Sequence, residues 1–128
     1  MAHEIQILRE KRLGVIRLSG YVDAAELDVA AEAQINHPDF RSDFNSVWDL
    51  RHTRTVDVSP EGFNTLIQKK LERDRVYGLT GRIAIIVNRH TIVGAALLAK
   101  IQAGRSPGRA IDVFSTEKQA MAWLHESA

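Results

Sequence analysis

The chain has 128 residues, 17 lysines and arginines against 16 aspartates and glutamates, 45% hydrophobic residues and no cysteine. That length fits one domain able to bury a core without staples, and the near-neutral charge gives no global attraction to nucleic acid or acidic membrane. The missing cysteines exclude disulfides, thiolate metal sites and a cysteine nucleophile, and they suit a reducing compartment.

Glu4 to Glu10 and Val15 to Tyr21 read as two strands joined through Lys11–Gly14, with Gly14 free to take a positive φ in the turn. Asp23-Ala24-Ala25-Glu26 resembles a capping box with aspartate as its first member, in which Glu26 reaches back to the cap. A helix follows to about Ile35, with Leu27, Ala30, Ala31, Gln34 and Ile35 as a weak apolar stripe, and Pro38 stops it. Phe44 to Leu50 reads as a third strand, followed by a charged loop over Arg51–Val58.

Ser59-Pro60-Glu61 is a helix start, with Ser59 as N-cap, Pro60 in the first turn and Glu61 at the positive end of the dipole. Phe63, Leu66, Ile67 and Leu71 then fall at helical spacing, and Lys69, Lys70 and Glu72 to Arg75 are expected on the solvent side. Ile83 to Val87 is apolar at every position, as a strand covered on both faces should be. A helix is expected from Thr91 to Ala103, and Ile111–Ser115 and Thr116–Leu124 form the last strand and helix. The order ββαβαβαβα predicts a single α/β domain over residues 1–128. Its five-stranded sheet is mixed and mostly parallel, with the first strand as an antiparallel edge, and it carries four helices.

No apolar stretch of signal-peptide type opens the sequence, and the longest apolar run, Ile92–Ala99, is far too short to span a bilayer. A cytoplasmic protein with no integral membrane segment and no nucleic-acid partner is therefore expected. Charge is uneven along the chain. Acids crowd Tyr21–Asp49, where Arg41 is the one base, and bases crowd Arg82–Ile111. Two solvated faces, or a self-complementary association, would each account for this.

Three groups of residues could carry function. Asp49, Arg51, His52, Arg54 and Asp57 follow the third strand, where open α/β sheets place ligands, and Asp49 with His52 could form an acid–base pair. Arg89, before Thr91 at a helix start, could help hold an anion, although no glycine-rich phosphate loop accompanies it. The expected helix from Thr91 is apolar almost all round. Its Ile92, Val93, Leu97, Leu98 and Ile101 are either buried against neighbouring helices, or form a homodimer interface or an apolar-ligand groove. The five histidines show no metal spacing and read as surface or loop residues, and no cofactor motif is present.

Three phrases carry a resemblance to a known family: Val15–Asp23 (VIRLSGYVD), Val47–Gly62 (VWDLRHTRTVDVSPEG) and Val113–Leu124 (VFSTEKQAMAWL). Together with the element order they resemble the SpoIIAA-like group, which includes STAS domains and is related to CRAL-TRIO lipid-binding domains. Anti-sigma-factor antagonists of that group carry an Asp-Ser-Ser-Gly-like motif at the start of the second helix, with one serine as phosphoacceptor. The matching stretch here is Asp57-Val58-Ser59-Pro60, which puts Val58 at the acceptor position and leaves Ser59 as the cap. The resemblance implies a non-enzymatic interaction or regulatory domain without the phosphoacceptor motif, binding a second copy or another protein. A small lipid or apolar-ligand binding protein is the alternative, and an enzyme comes third. Asp49, His52, Asp57, Ser59 and Arg89 stand as candidate polar-site residues.

Overall fold

The computed structural model describes residues 3–88 and 109–126. Strand β1 (His3–Leu8) ends in a 3-10 turn (Arg9–Lys11), and β2 (Leu13–Asp23) follows antiparallel to it. Then come α1 (Ala24–Ile35), β3 (Asn45–Asp57), α2 (Pro60–Tyr77), β4 (Ile83–Ile86), β5 (Ile111–Phe114) and α3 (Glu117–Leu124). The five strands form one mixed sheet in the order β1-β2-β3-β4-β5, with the β2–β3, β3–β4 and β4–β5 pairs parallel. Three α-helices lie among the described residues. The helix expected from Thr91 lies outside them, with Arg89, Ile92, Val93, Leu97, Leu98 and Ile101.

The described helices cover both sheet faces. Ile16, Leu18, Val22, Leu50, Val56, Ile83 and Ile85 turn to the side where Ala30 of α1 is buried. Leu13, Val15, Val47, Ala84 and Ile86 turn to the other side, against Ala120 and Leu124 of α3. Alternation along β2 and β4 thus feeds two cores, and both strands are apolar at consecutive positions for that reason. Arg82 seats α3: its Nη1 donates to the Trp123 carbonyl at 2.7 Å, and its guanidinium lies 5.1 Å from the indole centroid.

Helix starts follow the sequence closely. Asp23, Ser59 and Thr116 are the three N-caps, each accepting the amide three residues on. Glu26, however, does not reach back to the cap. It accepts from His3 Nδ1 at 2.8 Å and ties the first strand to the start of α1, so His3 is not a free surface residue as expected.

Three other expectations are corrected. The charged loop over Arg51–Val58 is strand: β3 runs on to Asp57, pairing with β2 through Thr55↔Tyr21 and Val56↔Val22. The β-branched Thr53, Thr55 and Val56 favour that conformation, and Thr53 and Val56 are buried while Arg54 points out. The left-handed residue between β1 and β2 is Arg12 (φ 53), not Gly14, which lies inside β2. Arg73 and Asp74 are buried rather than solvated, because α1 and β5 bring charged partners to them.

Two glycines mark close approaches. A Cβ on Gly14 would stand 2.5 Å from Gln34 Nε2 and 3.0 Å from the Phe40 ring, and a Cβ on Gly81 would run into the Phe44 backbone carbonyl. A side-chain end can swing aside and a backbone carbonyl cannot. Gly14→Ala should therefore cost about 1–3 kcal/mol, as overpacking commonly does, and Gly81→Ala should cost more. Urea unfolding of the two variants measures this, and the reverse ranking would contradict the close approach at Gly81.

Candidate functional site

The candidates after the third strand do not form one site. Asp49 and Asp57 lie on the same strand, opposite Arg17 and Asp23 of β2, which are six steps apart at roughly 3.3 Å each, so about 20 Å separates their backbones. The structure brings together only their local neighbours.

Asp49 has a side chain 4% exposed in mid-sheet, on the α3 side with Val47. Arg51 embraces it: Nε donates to Oδ1 and Nη2 to Oδ2, both at 2.9 Å, and the Arg51 amide donates to Oδ1 at 3.1 Å. Burial alone would raise the Asp49 pKa. The Arg51 hydrogen bonds and charge, with a smaller contribution from His52, outweigh it and hold the carboxyl below its ordinary value. The Arg51 guanidinium is pushed up in turn by Asp49. His52 is exposed, and no hydrogen bond links its ring to Asp49, so the expected acid–base pair does not assemble.

Farther along β3, Asp57 accepts from the Tyr21 hydroxyl at 2.6 Å. That bond raises the phenol's pKa, with slight desolvation and the charges of Asp57 and Asp23 adding to it. Tyr21 is 59% exposed, a large ring facing solvent beyond the end of the core. Ser59 Oγ accepts from the Gly62 amide at 3.0 Å and is a working N-cap, while Val58 packs against the core.

An apolar concavity lies elsewhere, between the sheet and the two helices α1 and α2. It encloses about 140 Å³ over Trp48, Leu50 and Ile85, with Leu27 and Phe63 among its walls and Lys70, Arg73 and Arg109 at its rim. Those rim cations are paired with carboxylates. Asp74 Oδ2 takes Lys70 Nζ at 2.8 Å and Asp74 Oδ1 takes Arg109 Nε at 2.7 Å. Arg73 pairs with Glu32 at 2.7 Å and with Asp28, which also takes Lys69 at 3.1 Å. Burial would raise the Asp28 pKa, but Lys69 and Arg73 together hold it below its ordinary value.

The acid-rich stretch of the sequence thus meets bases of α2, an assignment its charge pattern left open. Gln34 completes the cavity lining. It is 4% exposed and accepts from Ser46 Oγ at 2.9 Å, and its Nε2 has no partner. Sequence reading placed Leu27 and Gln34 on the apolar stripe of α1 and the α2 residues at helical spacing. It missed the floor at Trp48 and the rim at Arg109, because a cavity belongs to the packing of helices on sheet and not to any one segment.

Among the described residues, no three His, Asp or Glu side chains stand close enough to share a metal ion. No helix among them is long and apolar enough to cross a membrane.

Comparison with solved structures finds the same architecture. An uncharacterised protein of the DUF3478 family with a SpoIIAA-like fold, from Shewanella loihica PV-4, superimposes with a TM-score of 0.56 at 14% identity, over 96% of this chain and 92% of that one. The anti-sigma factor antagonist SpoIIAA, in its unphosphorylated form, gives 0.53 at 12% identity, over 98% of this chain and 100% of that one. No protein-family model and no curated protein matches the sequence. The chain therefore has a SpoIIAA-like fold, and at these identities the likeness speaks for fold alone.

The Asp49–Arg51 pair sets a pH dependence. A carboxyl whose pKa is lower folded than unfolded contributes stability that is whole above the ordinary carboxylate pKa of about 3.9 and lost as pH falls through the folded value. Asp49→Asn should be less stable than wild type at neutral pH, and the gap should narrow as pH falls below about 4. Urea midpoints across that range measure it, and a gap constant with pH would show that the pair does not carry the effect. Ser59→Ala should separately lower stability by about 1 kcal/mol through loss of the cap, and an unchanged denaturation midpoint would remove Ser59 from that role.

Proposed function

We propose that this chain is a non-enzymatic regulatory or interaction domain of the SpoIIAA and STAS kind. It acts in the cytoplasm by binding a second copy of itself or another protein, without a phosphorylation switch at the start of α2. The observation that carries this reading is how the polar groups along β3 are used. Asp49 is taken by Arg51, Asp57 by Tyr21 and the Ser59 hydroxyl by the Gly62 amide, so they satisfy one another instead of converging on a reacting atom. The likeness to an anti-sigma factor antagonist supports the class, and Val58 at the acceptor position supports the loss of the switch. Incubation with ATP and a kinase of anti-sigma-factor type, read by intact mass, should add no phosphate. A phosphate on Ser59 would overturn this part of the reading.

The cavity beneath α1 and α2 favours a second reading, a carrier of a small apolar ligand, because its floor and walls are almost wholly apolar. Native mass spectrometry separates the two. A protein mass free of adducts supports the interaction domain. A stoichiometric adduct of lipid mass that dissociates on denaturation supports the carrier.

A further inference from the structure

The two edges of the sheet are treated differently. On β5, the Ala110 and Phe114 carbonyls accept from β4, so residues of that parity face the sheet and the Val113 amide faces outward. That amide is not left open: Asp112 Oδ1 accepts it at 2.7 Å, a side chain folded back over its own edge. Such a guard keeps a strand from pairing with another chain. Among the described residues, the outer edge of β1 has none. Its six residues, HEIQIL, contain no proline and no lysine, and its ladder to β2 runs without a register shift. Ile5 and Ile7, turned to the side of α1, are only half-buried.

We propose that β1 is an interface, and that its occupant is the β1 strand of a second copy, paired antiparallel about a two-fold axis to make one continuous ten-stranded sheet. This rests on the self-association in the proposed function and supplies its surface. Three features select a second copy. The strand is acidic at its start (Glu4) and followed by the exposed turn Arg9-Glu10-Lys11-Arg12, net basic by two charges, so antiparallel pairing lays each acidic end toward the partner's basic end. For the α1 layers to lie on the same face, opposed residues must have the same parity. The register centred on Gln6 then sets Ile5 against the partner's Ile7 twice over, extending the apolar layer across the axis. It also sets Gln6 against the partner's Gln6, two neutral amides each held by Arg17 of its own chain, whose Nη1 donates to Gln6 Oε1 at 2.9 Å.

Symmetry makes the test specific, since any charge placed at position 6 opposes itself. In sedimentation velocity over a concentration series, the wild-type chain should form a dimer; Gln6→Lys, whose charge adds to Arg17 beside the axis, should weaken it about tenfold or more, and Gln6→Glu, which Arg17 partly offsets, should weaken it less. An equimolar mixture of the two variants should restore the dimer as a heterodimer, and this also shows that both variants are folded. A wild-type chain that stays monomeric, a dimer indifferent to both substitutions, or a mixture that fails to recover would each overturn the proposal. All three leave an interaction domain for another protein standing. That reading fails instead on a phosphate at Ser59 or on a lipid adduct.

Discussion

The constraint on which this fold depends is the double burial of its middle strands. β4 is four residues long, and Ala84 and Ile86 face α3 while Ile83 and Ile85 face the α1–α2 side, all of them buried. A strand so short holds its place through what covers it, because its ladder to each neighbour has few bonds. Among the described residues, α1 and α2 lie on one face and the eight-residue α3 on the other. Arg82 holds α3 in place through a carbonyl and an indole at once. Asp74 does similar work on the opposite face, joining α2 to the start of β5 through Arg109. Both anchors use charged residues, half-buried at Arg82 and buried at Asp74 and Arg109, where breaking one partner leaves the other unsatisfied.

A second consequence is the overhang. β2 and β3 stay paired as far as Asp23 and Asp57, while β4 meets β3 only from Ser46 to Asp49. Beyond the core, the two strands continue as a parallel ribbon, with Val22 and Val56 buried on one side and Tyr21 and Asp57 linked on the other. The positive φ of Gly20 and the register shift beside it let β2 bend while keeping this pairing. The ribbon carries Tyr21 well into solvent. A polar, ringed projection held by main-chain bonds is better suited to contacting a surface than to enclosing a small molecule.

Much of this was legible in the sequence, and what was legible is local. Asp23, Ser59 and Thr116 announce helix starts because a cap is a bond over three residues. The apolar run at Ile83 announces a doubly covered strand because burial on both faces removes the period of two. The continuation of β3 was not legible as strand, since Arg51, His52 and Arg54 mask the β-branched residues between them, and only pairing with β2 decides the matter. The buried Arg73 and Asp74 were misread for a related reason. Their partners Asp28, Glu32 and Arg109 are distant in sequence, and charge on a helix looks solvated until those partners are placed. The cavity, lined from several elements, has no signature in any one of them.

The start of α2 is fixed by its cap: the Ser59 hydroxyl oxygen accepts from the Gly62 amide and satisfies one of the donors the first turn leaves open. In this chain the helix begins one residue after Ser59, the cap bond is made, and the preceding position holds a valine packed on the core. A serine at 58 would have to turn its side chain out of the position where Val58 is half-buried before it could present a hydroxyl. Away from the helix start, backbone is exposed at the ribbon around Tyr21 and at the strand edges of the sheet. There, as Asp112 shows for β5, a single side chain decides whether the backbone is open to a partner.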